Sequence, residues 1–248
     1  MLDGTMRDDD HPIGRRLTRR EALALLGVGG AAALTAGSGT LRAASPAAAG
    51  ACVARPALTE GPYFVDEKLN RSDIRPDPTD GTVRPGASLR LGLRVSRLAA
   101  GACAPLPGAM IDLWHCDAAG VYSDVSDPGG STVGKKFLRG YQLTDAEGLA
   151  RFTTIYPGWY PGRAVHIHFK VRAAAAGGLA HEFTSQLFFD DVLSDQVYAQ
   201  PPYAARGPGR VRNTRDGIYR QAGSQLTLVV APASPGYIAS FDLALETT

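Results

Sequence analysis

Ala164-Val165-His166-Ile167-His168-Phe169-Lys170-Val171 alternates in character at every step, and a period of two reads as a β-strand rather than a helix. Side chains two apart on a strand share a face, roughly 6–7 Å apart along the backbone. Val165, Ile167, Phe169 and Val171 are therefore expected to point one way, and His166, His168 and Lys170 the other. Two imidazoles on one face of a strand can close on a single metal ion.

The same pattern extends in both directions. Residues 88–95 alternate cleanly, with Leu89, Leu91, Leu93 and Val95 on one face. Further strands are expected over 109–116, 137–143, 149–155, 164–172, 182–189, 226–230 and 237–243, divided by Gly, Pro and Asp. Eight or so short strands with regular turn signals define an all-β fold, read here as an antiparallel β-sandwich with long loops and little helix. One short helix is expected over 192–199, and 201–217 reads as loop. No internal repeat or second domain is visible after residue 52.

The first 51 residues read differently. Thr18-Arg19-Arg20-Glu21-Ala22-Leu23 precedes an uncharged, mildly apolar run over 22–37, followed by small residues over 43–51. A basic head, an apolar middle and a small-residue cleavage zone describe an export signal. The paired arginines point to the twin-arginine route, an address read by a receptor. The competing reading is an uncleaved anchor, for which the run is short against the roughly 20 residues a bilayer needs. The expected product is a domain over 52–248, outside the cytoplasm, without a stable membrane span.

Charge excludes some partners. The chain carries 26 Lys and Arg against 24 Asp and Glu, and from Cys52 onward 20 against 19. That balance gives no electrostatic footprint for nucleic acid or an anionic membrane. Arg206, Arg210, Arg212 and Arg215 cluster without aromatic neighbours to stack bases, which suits a solvated loop or a rim for an anionic ligand. Export permits a disulfide, and of Cys52, Cys103 and Cys116 the first two form the preferred pair, Cys103 being read in a loop and Cys52 near the mature terminus. No CxxC spacing suggests a zinc or thiol-redox site.

Tyr122 follows the turn at 117–121, and Tyr160 ends Tyr156-Pro157-Gly158-Trp159-Tyr160. Either alone is an ordinary structural tyrosine. Joined to the two imidazoles, they form a hard, anionic donor set. A phenol ionises near pH 10, so it becomes a ligand when a strongly charged cation drives the proton off. Two phenolates with two imidazoles favour Fe(III) over Fe(II), Zn or Mg.

This combination resembles the intradiol ring-cleavage dioxygenases, with the β-type chains of protocatechuate 3,4-dioxygenase as the most similar branch. The resemblance runs from Leu58-Thr-Glu-Gly-Pro-Tyr63 to the last strand. It is carried by Ile111-Asp-Leu-Trp-His-Cys-Asp-Ala-Ala-Gly-Val-Tyr122, Phe137-Leu-Arg-Gly-Tyr-Gln-Leu-Thr-Asp145, the segment 154–168 and Thr184-Ser-Gln-Leu-Phe-Phe189. It implies an enzyme that opens a catechol between its two hydroxyl carbons with O2. Tyr122, Tyr160, His166 and His168 would hold Fe(III), with Tyr160 leaving when substrate binds. Arg163 would stabilise negative charge on the substrate, and Gln186 would fix that arginine or the substrate. Only five residues separate Tyr160 from His166, which changes the wall facing the substrate's distal substituent. His115 reads as a core or supporting residue rather than a ligand, and the oligomeric state is open.

Two other readings compete. A cupin-like Fe(II) or Mn site also uses His-x-His but needs a nearby glutamate, where this chain has Phe169-Lys170-Val171-Arg172. A non-catalytic exported binding module could also keep the fold.

Overall fold

Strand β1 (Ser88–Ala99) holds the longest stretch of alternation, and its Leu89, Leu91, Leu93 and Val95 are all buried. The computed structural model describes residues 52–99, 101–127, 130–174 and 180–246; the expected export signal lies outside them. The chain continues through β2 (Ala102–Pro105), β3 (Met110–Trp114), and a small ribbon of β4 (Ser126–Asp127) and β5 (Gly130–Ser131). Then come β6 (Arg139–Leu143), β7 (Leu149–Ile155), β8 (His166–Ala174), β9 (Ala180–Phe188), β10 (Val229–Pro232) and β11 (Tyr237–Glu246).

Two sheets result. In the first, β1 pairs antiparallel with β7 and β2, while β11 bridges β1 and β10. The β1–β11 pair is parallel, a direction that alternation cannot reveal because it reports faces and not neighbours. The second sheet runs β6-β3-β8-β9, antiparallel throughout. Ile111, Leu113, Ile167, Phe169 and Val171 of this sheet join the β1 leucines in one apolar cluster. The Phe169 and Phe241 rings meet 6.1 Å apart, so the fold is an all-β sandwich with the strand faces as expected. Phe169→Ala is expected to cost about 3–5 kcal/mol, read as a lower midpoint at unchanged slope in urea unfolding.

The short helix α1 (Asp191–Tyr198) begins one residue before the expected position, because Asp190 caps it through Val192 N and Leu193 N. A second single-turn helix, α2, spans Tyr219–Ala222. The strand expected at 226–230 starts late, since Gly223–Leu226 is a 3-10 turn that Thr227 Oγ1 closes on Gly223 O at 2.8 Å.

The segment 201–217 is pinned rather than loose. Arg210 pairs with Asp191 and Asp195, and Arg212 with Asp195. The Arg206 guanidinium lies 4.3 Å over the Trp159 ring. Three of the four clustered arginines are thus engaged within the protein. Cys52 and Cys103 form the disulfide, with Cys103 in β2 rather than in a loop, and Cys116 is free and buried. Among the described residues no helix is long and apolar enough to cross a membrane.

Candidate metal centre

One rung of the second sheet organises the site. Trp114 of β3 stands opposite Arg139 of β6 and opposite His168 of β8, and His168 stands opposite Gln186 of β9. Ile167 and Phe169 face the sandwich core, so these four side chains occupy the other face, beneath the loops. Trp114 stacks on the His168 imidazole at 5.0 Å with the planes 8° apart. Gly61 lies against the Cε1–Nε2 edge of the same ring, where an added Cβ would sit 3.4 Å from His168 Cε1.

The Tyr122 loop is built on backbone bonds. Asp117 Oδ1 accepts from Ala119 N and Val121 N at 2.9 and 3.0 Å. Gly120 sits at φ +78, where a side chain would collide with Trp159 O at 2.2 Å. Thr132 Oγ1 donates to Tyr122 O at 2.7 Å, and Tyr63 stacks on Tyr122 with ring centres 4.4 Å apart. The buried Arg139 donates to Ser123 O and to Tyr63 O, tying both tyrosine segments to β6. Tyr160 is set by Gly158 N bonding Asp117 O at 3.1 Å and by Tyr198 Oη donating to Pro157 O at 2.8 Å.

These supports bring donor atoms together. His166 Nε2 lies 3.0 Å from His168 Nε2 and 3.1 Å from Tyr160 Oη. His166 Nδ1 is 2.6 Å from Ala164 O, which assigns the proton to Nδ1 and leaves a lone pair on Nε2. The rings of Tyr122 and Tyr160 are 5.7 Å apart, and those of Tyr122 and His168 6.2 Å. The buried Tyr122 Oη makes no well-aligned hydrogen bond, although the Tyr160 hydroxyl lies close enough to interact with it. Trp114 Nε1 and His168 Nδ1 are likewise buried without a protein partner.

Such crowding has a chemical meaning. Two imidazole nitrogens at 3.0 Å repel unless a proton or a cation lies between them. Two ligand nitrogens each about 2.1 Å from one ion and at right angles are themselves about 3.0 Å apart. Burial, with the Arg163 charge added, holds both imidazoles well below the ordinary histidine range, so both are neutral donors at pH 7. Burial also raises both phenols, so a weak cation would leave them protonated. Among the described residues no three His, Cys, Asp or Glu side chains gather around a metal position. A metal here needs the phenols, and the donor set fits a hard trivalent ion.

Arg163 and Gln186 border this cluster. Arg163 Nη2 donates to Gln186 Oε1 at 2.5 Å, and Gln186 Nε2 donates to Thr59 O at 2.9 Å. Arg163 Nε donates to Asp216 Oδ2 at 2.9 Å. All six residues expected from the sequence thus meet in one place. Asp216, Tyr63, Trp114 and Arg139 join them without having been anticipated. Only the pairing register, which no local pattern encodes, could have pointed to Trp114 and Arg139.

His115 faces away from the donors. Its Nδ1 lies 2.8 Å from Cys116 O and its Nε2 2.7 Å from Thr154 Oγ1. Burial pulls it down to about 4, so unfolded protein binds a proton below about 6.5 that the native state refuses. Stability is therefore complete above pH 6.5 and is lost as pH falls toward 4, by about 3 kcal/mol from this residue. Thermal unfolding of metal-free protein between pH 7 and 4 should show that decline, reduced in His115→Gln.

Comparison with known proteins agrees with this geometry. Residues 59–218 match Dioxygenase_C, a dioxygenase family. Over 113 residues the chain is 34% identical to the protocatechuate 3,4-dioxygenase beta chain of Burkholderia cepacia, covering 41% of this chain and 47% of that one. Over 201 residues it is 26% identical to catechol 1,2-dioxygenase 1 of Acinetobacter lwoffii, covering 70% and 61%. It thus spans about half the length of these curated relatives. The intradiol ring-cleavage dioxygenase of Tetranychus urticae superimposes with a TM-score of 0.68 at 30% identity, covering 79% of this chain and 95% of that one. The chain belongs to the intradiol ring-cleavage dioxygenase family.

Proposed function

We propose that this protein is a ferric dioxygenase that opens a catechol-type diol between its two hydroxyl-bearing carbons. O2 supplies both atoms that convert those carbons to carboxyl groups, giving a muconate-type diacid. The observation that carries the reading is the approach of His168 Nε2 and Tyr160 Oη to within 3.1 Å of His166 Nε2, beside the buried Tyr122 hydroxyl.

Tyr122, Tyr160, His166 and His168 are the residues that would hold Fe(III). The ion would supply Lewis acidity and a template for the two diol oxygens. The remaining work belongs to side chains. Burial makes the Tyr160 phenolate a strong base, fitted to take a proton from the incoming diol at Oη and move aside. Arg163 then presents a fixed positive charge, held by Gln186, to the negative charge that builds on the ring. Trp114 and Tyr63 hold the imidazole and phenol planes by stacking, which lowers the reorganisation needed during the reaction.

The same proposal places the mature protein outside the cytoplasm, on the strength of Arg19-Arg20 and its apolar sequel. The Cys52–Cys103 disulfide is in keeping with an oxidising compartment. The test is oxygen uptake by iron-loaded protein against a catechol panel, with mass spectrometry after 18O2 labelling. The expected product carries both labelled atoms in a ring-opened diacid. A semialdehyde would assign cleavage outside the diol. Absence of uptake and of bound metal would describe a non-catalytic module.

A further inference from the structure

A single carboxylate lies behind the charged wall of the centre, against the Arg163 guanidinium. Asp216 is 1% exposed and lies 53 residues from Arg163 in sequence. Its Oδ2 accepts from Arg163 Nε at 2.9 Å and from Ala164 N at 2.6 Å. Its Oδ1 accepts from Ile218 N and Tyr219 N at 2.7 and 2.9 Å. Ala164 in turn offers its carbonyl to His166 Nδ1 at 2.6 Å. We propose that Asp216 is the positioning residue of the centre, fixing Arg163 directly and the His166 ring through Ala164.

The inference rests on the proposed function and deepens it. The carboxylate is well suited to the task because all four of its neighbours are donors. An amide in its place would aim an NH2 group at one pair of them, and that pair would be released. The platform is fixed before Asp216 reaches the site: Asn213 Nδ2 donates to Phe189 O at 2.8 Å, and Asn213 N to Asp191 Oδ2 at 3.1 Å. Arg210 adds its pairing with Asp191. Burial pushes the Asp216 carboxyl up, but Arg163 and the backbone N–H groups of Ala164 and Tyr219 outweigh it and keep the group ionised. Segment 201–217 thereby gains a reason to be pinned so firmly. It sets the direction of a charge on a different loop.

The test compares wild-type protein and Asp216→Asn in two ways. In metal-free 15N-labelled protein, the Arg163 Nε–H resonance, assigned by its loss in Arg163→Met, should lie downfield and exchange slowly. Asp216→Asn removes the negative charge, which should move the resonance upfield and speed its exchange whichever pair the amide releases. Iron-loaded Asp216→Asn should still bind one ferric ion per chain while kcat on the best catechol falls about 100-fold, the scale of an ångström-level misplacement. An Arg163 resonance unmoved by the substitution, or kcat within threefold of wild type, overturns the proposal. Should Asp216→Asn fail to fold, the wild-type resonance decides: downfield and protected supports the contact, unshifted and fast-exchanging overturns it. Failure of the functional reading would show separately, as wild-type protein that takes up no iron and opens no catechol while the resonance behaves as described.

Discussion

His168→Ala is expected to abolish stoichiometric ferric binding and to lower catechol turnover by about 10³-fold or more, since metal templating and Lewis acidity are worth several kcal/mol. The effect follows from geometry. His168 Nε2 is 3.0 Å from His166 Nε2, so truncation removes one of the two converging imidazole donors. His115→Gln is the contrast, because both His115 nitrogens are committed to Cys116 O and Thr154 Oγ1. Iron analysis after gel filtration reads the outcome. Retained one-to-one binding in His168→Ala would remove this histidine from the ligand set.

Arg163→Met should separate binding from chemistry. None of the proposed ligands changes, so iron stoichiometry should hold, while kcat falls by about 10²–10³-fold, the scale for losing one preorganised electrostatic group. Arg163→Lys should recover little. An ammonium cannot reach Asp216 Oδ2 and Gln186 Oε1 together in the fork that the guanidinium makes. Steady-state kinetics at measured iron content test this, and kcat within twofold of wild type in the methionine variant would assign Arg163 a merely structural role.

Much of this was legible in the sequence because it is local. The alternation over 164–171 placed the two histidines on one face, and the β1 leucines announced a core strand by the same period. The Cys52–Cys103 pair followed from chain position, although Cys103 proved to be in a strand. Tyr122 and Tyr160 were different: each stands after a turn with no periodicity to set it apart, and only the resemblance connected them to the histidines. What stayed hidden depends on pairing. The Arg139-Trp114-His168-Gln186 rung exists because three strand registers coincide, and alternation fixes faces without fixing registers. Asp216 was hidden more deeply still. Asp216-Gly217 reads as turn punctuation, and nothing near it signals an arginine 53 residues away.

The most direct measurement is the visible spectrum of the protein titrated with ferric iron. Two phenols beside two neutral imidazoles should take up one ion per chain and turn wine-coloured through phenolate-to-iron charge transfer, and Tyr122→Phe should weaken or shift that band. Protein that binds ferric iron yet stays colourless, or whose colour is unchanged in Tyr122→Phe and Tyr160→Phe alike, would contradict convergence of these four residues on one metal.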